Sequence, residues 1–219
     1  MHMKYPRALA MEFIGTALIA VAVVGSGWTA VSVGADQVSS LLINAIATGL
    51  ILAIVIRIGL KSSGSHFNPA VTVVMVGLRK MKAEKGFMYI ASQILGAIAG
   101  VALSNAIYEK TIFGDSTITR TGNGVFIGEV LATAGLVWIV LRFPKKPELV
   151  AIYLPMWIFG AIMFTTSTAF ANPALTIGRI FTGSPSGIAS ASIAAFIGAQ
   201  LIGALVAVGL DKLITHPEE

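Results

Sequence analysis

Apolar residues run along this chain in long blocks separated by short polar or basic stretches. A helix needs about 20 apolar residues to cross about 30 Å of hydrocarbon. Six blocks meet that length, near residues 8–27, 39–60, 87–107, 124–142, 149–168 and 188–210. Two shorter apolar segments, 68–78 and 172–182, would each extend only about 16 Å at about 1.5 Å per residue. Neither crosses alone, but two of them meeting end to end cross together. The pattern predicts an all-α membrane protein in one domain, 1–219, with six transmembrane helices and two re-entrant half-helices.

The chain also repeats itself. Glu12-Phe-Ile-Gly-Thr16 is echoed by Glu129-Val-Leu-Ala-Thr133, Asn68-Pro-Ala-Val-Thr72 by Asn172-Pro-Ala-Leu-Thr176, and Gln93-Ile-Leu-Gly-Ala97 by Gln200-Leu-Ile-Gly-Ala204. The matches keep one order, defining repeat one at about 8–107 and repeat two at about 124–212. Three spans per repeat is an odd number, so the halves insert with opposite orientation. Inverted repeats with interrupted helices place a permeation site at their interface, near the midplane.

Composition narrows the classes. Charged residues are 11% of the chain and apolar residues 56%, whereas a soluble domain carries roughly a quarter charged residues. The bilayer is therefore the expected partner. The net charge of +5 is distributed as membrane orientation demands, which argues against a nucleic-acid partner. Lys4, Arg7, Arg57, Lys61, Arg79, Lys80, Lys82, Lys85, Arg142, Lys145, Lys146 and Lys212 fall on one side if segment 68–78 enters and leaves by the same face; Lys110, Arg120 and Arg179 fall on the other. The positive-inside rule then puts both termini in the cytoplasm, in a multi-pass protein of the cell inner (plasma) membrane. Cysteine is absent, which removes disulfides and thiolate chemistry. No phosphate-binding glycine loop, metal-ligand spacing or nucleophile–base pair is present, so no cofactor, metal or catalytic residue is expected. His2 and His216 lie in polar tails.

The triplets Asn68-Pro69-Ala70 and Asn172-Pro173-Ala174 read as helix starts, because Asn caps and Pro is favoured at the first helical position. A capping Asn uses its side-chain oxygen on its own helix and keeps two amide donors. Two inverted half-helices would present both Asn amides, and two partial positive ends, at mid-membrane. That constriction suits solutes that accept hydrogen bonds and repels cations. The stretches 60–66 and 165–171 would line a watery path, the only setting in which irregular backbone is tolerated at that depth.

These motifs, with Ser65-His66-Phe67 ahead of the first triplet, resemble the aquaporin and aquaglyceroporin family, the major intrinsic proteins, over essentially the whole chain. The resemblance implies six tilted helices, one pore per protomer, a homotetramer, and passive passage of small neutral solutes. It also implies a selectivity ring on the outer side of the triplets, at positions counted from the two Asn residues: Thr48, Gly160, Ala169 and Leu175. If the count slips, Phe159 or Ile158 replaces Gly160. Family members usually carry arginine where Leu175 stands. A small or apolar ring without arginine implies a wide filter. The second triplet's surroundings are similar to a bacterial branch linked to arsenic resistance, which implies arsenous acid, polyols such as glycerol, and water as solutes. A predominantly water-conducting channel and an ion-coupled secondary transporter remain alternatives.

Several polar residues carry two readings. Arg179 lies one helical turn beyond Leu175; it either overlooks the pore or snorkels to the interface. His66 either lines the inner pore or packs beneath its loop. Glu12 and Glu129 are intramembrane acids, which are often functional; they either relay protons or, as the resemblance implies, buttress the re-entrant loops. Gln93 and Gln200 are expected to bond between helices, and Gly96, Gly100, Gly203 and Ala207 to allow close helix approach. Trp28, Trp138 and Trp157 read as packing or interface anchors.

Overall fold

The computed structural model describes residues 5–214. Lys4, His2 and His216, discussed above, lie outside them. Eight α-helices form: α1 (Pro6–Ser32), α2 (Gln37–Gly59), α3 (Pro69–Gly77), α4 (Ala83–Ile107), α5 (Asn123–Arg142), α6 (Pro147–Phe164), α7 (Pro173–Gly178) and α8 (Ile193–Ile214). Among the described residues, six helices are long and apolar enough to cross a membrane. The half-helices α3 and α7 are too short. Six crossings return the chain to its starting side, called the inner side below.

The two halves assemble alike. α1 packs along α4 and α5 along α8, while α2 meets α6 across the halves. Glycines set the first two contacts. A Cβ on Gly96 would collide with the Phe13 carbonyl, and one on Gly203 with the Val130 carbonyl. Phe13 and Val130 each follow the paired glutamates by one residue. Removing the side chain lets the backbones approach, as polar-poor membrane interfaces require. Many large apolar side chains, such as Leu50, Ile58, Leu95, Ile127, Leu205 and Leu213, point outward, as suits contact with lipid rather than water.

Several boundaries differ from those expected: α1 runs on to Ser32 rather than ending near 27, and α4 starts at Ala83 rather than near 87. The fifth span ends at Phe164, not near 168, because the backbone turns extended at Thr165 and the following loop is drawn to Glu129. The sixth span begins at Ile193, not near 188. Residues 188–192 instead complete a loop, with Ile188 fully buried and a 3₁₀ turn at Ser190–Ser192. The segment 172–182 is helical only to Gly178, then tightens into a 3₁₀ turn at Arg179–Phe181.

Candidate functional site: a central cavity between two vestibules

The site grows from the capped half-helices. Asn68 Oδ1 accepts from the Ala70 N–H at 2.9 Å, and Asn172 Oδ1 from the Ala174 N–H at 3.0 Å. Each capping side chain therefore satisfies an orphan donor of its own helix. The amide groups cross over. Asn68 Nδ2 donates to the Ala171 carbonyl at 2.7 Å, and Asn172 Nδ2 to the Phe67 carbonyl at 2.8 Å. This corrects the expectation of two free donors per Asn. One hydrogen of each amide ties the opposing loop, and one is left for the cavity.

The loops before the triplets are held by the paired glutamates. Glu12 accepts from the His66 and Phe67 N–H groups at 3.0 and 2.6 Å, and from the Ser63 hydroxyl at 2.6 Å. Glu129 accepts from the Phe170 and Ala171 N–H groups at 2.8 and 2.9 Å. Gln93 donates to Glu12 and to Thr72, and Gln200 to Glu129 and to Thr176, in the same arrangement. Both glutamates are fully buried, and each buried lone pair so used offsets a desolvation cost. The loops need such anchors. Ser65 and Phe67, like Ala169 and Ala171, sit at φ between 46° and 56°, a left-handed conformation that costs a non-glycine residue of order 1 kcal/mol.

A cavity runs between the halves. Its central section has a volume of about 50 Å³ and borders Thr48, Asn68, Ala169, Asn172, Leu175 and Arg179, with His66 at its inner end. It lies between an outer vestibule of about 460 Å³ and an inner one of about 230 Å³. The passage is therefore hourglass-shaped.

Gly160 does not border it, which corrects one expected ring position. Leu154, Ile158 and Ile162 form the lining stripe of α6. At about 100° per residue, position 160 faces about 200° away from Ile158, and the open side of Gly160 meets the Phe164 ring of its own helix. Ile158, the residue reached by the slipped count, borders the cavity. The matching stripe on α2 is Asn44, Thr48, Leu52 and Ile56. Asn44 was not singled out from sequence, although a lone amide in an apolar span was a usable signal. Its Nδ2 donates to the Val23 carbonyl and the Ser26 hydroxyl, both at 2.8 Å. Thr48 Oγ1 is buried with no hydrogen-bond partner among the described residues.

The two open cases resolve into mixed geometries. His66 borders the cavity, but its Nδ1 also lies 3.0 Å from the Thr72 hydroxyl and its ring meets Tyr89 edge-on at 5.4 Å. Arg179 borders both the central section and the outer vestibule. It is 4% exposed, its Nε–H donates to the Ser186 carbonyl, and its guanidinium stacks on Phe170 with Cζ 3.2 Å from the ring centroid. Arg120, which no local motif marked, reaches the same vestibule and the same ring. Trp157 packs over Gly135 and donates to the Ala132 carbonyl at 2.9 Å. No cluster that could hold a metal ion occurs among the described residues.

Two capped half-helices facing each other inside an inverted six-helix repeat define a membrane channel of the aquaporin type, and comparison with known proteins agrees. The family described as "Major intrinsic protein" matches residues 1–165. The chain is 38% identical over 216 residues to the aquaglyceroporin AqpS of Rhizobium meliloti (strain 1021), covering 96% of this chain and 91% of that one. It is 25% identical to an aquaporin of Arabidopsis thaliana over 97% of this chain and 70% of that one. Its fold matches the X-ray structure of the aquaglyceroporin from Plasmodium falciparum with a TM-score of 0.78, at 20% identity, over 96% of this chain and 97% of that one. The chain belongs to the major intrinsic protein family: it is a multi-pass membrane protein of a family of passive channels for small solutes.

Proposed function

We propose that this channel passes compact neutral solutes, namely arsenous acid and polyols such as glycerol, together with water. The observation that carries the reading is the midpoint of the cavity, where Asn68 and Asn172 each keep one amide hydrogen for a passing solute while the other is tied across the passage. A neutral hydroxylated solute accepts those hydrogens, and a cation is repelled by them. The filter outside that point combines Thr48, Ala169 and Leu175 with Ile158 in place of Gly160. Its wall is apolar apart from Thr48, whose hydroxyl oxygen is itself buried, and an uncharged wall suits a neutral solute. Arg179, one turn further out, supplies the guanidinium that Leu175 does not. His66 borders the inner end, and Glu12 and Glu129 act as loop buttresses rather than proton relays, since their oxygens are occupied by loop N–H groups. The Lys/Arg asymmetry supports cytoplasmic termini in the plasma membrane, and the family resemblance supports a homotetramer.

A mainly water-conducting channel is the second reading, favoured by the small central volume of about 50 Å³. Proteoliposome flux decides between them. Water, glycerol and arsenous acid are compared in one preparation, with rates linear in the gradient and weakly temperature dependent. Fast water flow with negligible glycerol and arsenous acid entry selects the water channel. Saturating flux coupled to protons or ions overturns both readings in favour of a secondary transporter.

A further inference from the structure

Passage of neutral solutes gives Arg179 a place in the filter but leaves its neighbour in the outer vestibule, Arg120, unexplained. Arg179 enters from the turn after α7 and Arg120 from the loop joining α4 to α5. Arg120 Nε and Nη2 donate to the Gly187 and Pro185 carbonyls, both at 2.9 Å. Arg179 commits only its Nε–H, to the Ser186 carbonyl; its other N–H groups have no acceptor among the described residues. Both guanidiniums lie against one ring, their Cζ atoms 5.1 and 3.2 Å from the Phe170 centroid. Carbonyls and a π face hold cations in place, but they do not neutralise them.

Carboxylates do so only in part. The Glu129 charge acts on both arginines, one negative against two positive, and its two oxygens are already engaged by the Phe170 and Ala171 N–H groups and by Gln200. Asp36, which precedes the lining residue Gln37 and does not itself line the vestibule, caps α2 through the Val38 and Ser39 N–H groups and takes the Ser39 hydroxyl. No acidic residue lines the vestibule, whereas Arg120 and Arg179 both do, beside Ser186 and Gln37. Two like charges in a partly desolvated concavity repel, and an anion placed between them relieves that repulsion. Guanidinium groups with free N–H pairs match the oxygens of a phosphate-like anion.

We propose that Arg120 and Arg179 bind a small oxyanion of the phosphate class in the outer vestibule, and that the bound anion obstructs neutral-solute passage. Arg179 borders the central section as well as the vestibule, so an anion on it covers the entrance. The proposal rests on the channel reading, and its test separates the two.

Water flux is measured in proteoliposomes in chloride and in inorganic phosphate at equal ionic strength and osmolarity, and phosphate is titrated calorimetrically into detergent-solubilised protein. Flux in chloride tests the channel alone. Phosphate is expected to lower it about twofold or more, and Arg120→Gln to weaken phosphate binding about tenfold while basal flux in chloride persists. Arg120→Lys, which keeps the charge and tests for a folding defect, is expected to bind with intermediate strength. Saturable heat in detergent shows that free phosphate binds without a bilayer, whereas heat that vanishes once phospholipid is added to the micelles assigns the site to a lipid headgroup instead and overturns the free-anion proposal. The proposal is overturned if wild-type protein binds no phosphate in detergent, if flux is equal in the two salts, or if Arg120→Gln binds phosphate as wild type does.

Discussion

Seven residues after Asn68 stands Met75, and seven after Asn172 stands Arg179. The two positions are equivalent in the inverted repeat, and both border a vestibule, Met75 the inner and Arg179 the outer. Two residues before each Asn the pairing is His66 with Phe170. Nearer the midplane the halves hardly differ: Thr72 and Thr176 each donate to their own capping Asn carbonyl, and Gln93 and Gln200 reach both threonine and glutamate. Symmetry is thus kept where backbone must be satisfied in the absence of water and relaxed where solutes are met. The inner vestibule has an exposed cation at its rim, Lys80, while the outer one has a buried cation at its throat. A duplicated scaffold with unlike ends can select on one side without disturbing the shared centre.

The comparison is most severely tested at the glutamates. Glu12→Leu and Glu129→Leu each strand two loop N–H groups, all buried except the half-buried His66 N–H, at about 1–3 kcal/mol apiece. Both variants should lose thermal stability in detergent by similar amounts, of order 2–6 kcal/mol. A variant that melts with wild type would show that one loop stands without its clamp. Next come the paired asparagines. Asn68→Asp and Asn172→Asp each bring a negative charge to the constriction, and each should raise cation leak about tenfold in ion-flux assays. Unequal leaks would mean that the centre is less symmetric than its hydrogen bonds.

The vestibules should respond unequally. Arg179→Met makes the outer throat resemble the inner one and is expected to raise cation leak about fivefold; an unchanged leak would remove Arg179 from the filter. The smallest effect is expected at Thr48, whose hydroxyl oxygen is buried and has no protein partner. Thr48→Val should change water flux by less than about twofold, since no hydrogen bond to a passing solute is removed. A larger drop in stopped-flow rate would show that the hydroxyl turns into the passage to meet solutes.

Most of this architecture was legible in the sequence, because lipid enforces long apolar blocks and a mid-membrane helix start needs a cap. The glutamate clamp was visible through the repeat, which placed Glu12 and Glu129 in the same order ahead of their triplets. The proposed ring was only partly legible. Thr48, Ala169 and Leu175 border the cavity, but Gly160 does not, since a two-residue error in helical phase turns a side chain to the opposite face. The crossed amide bonds were invisible, because each joins residues more than 100 apart. Arg120 was equally hidden, since its long loop is positioned by the Gly187 and Pro185 carbonyls rather than by any local pattern.

The crossed amides also constrain how the chain is made. Asn68 emerges from the ribosome long before Ala171, and the Phe67 carbonyl long before Asn172. Until the second repeat inserts, the first cannot close its own midpoint, and its polar loop must be sheltered by water or by the insertion machinery. Completion of the passage is therefore a late, cooperative event in biogenesis, and a nascent chain halted before its second triplet should be a substrate for membrane quality control.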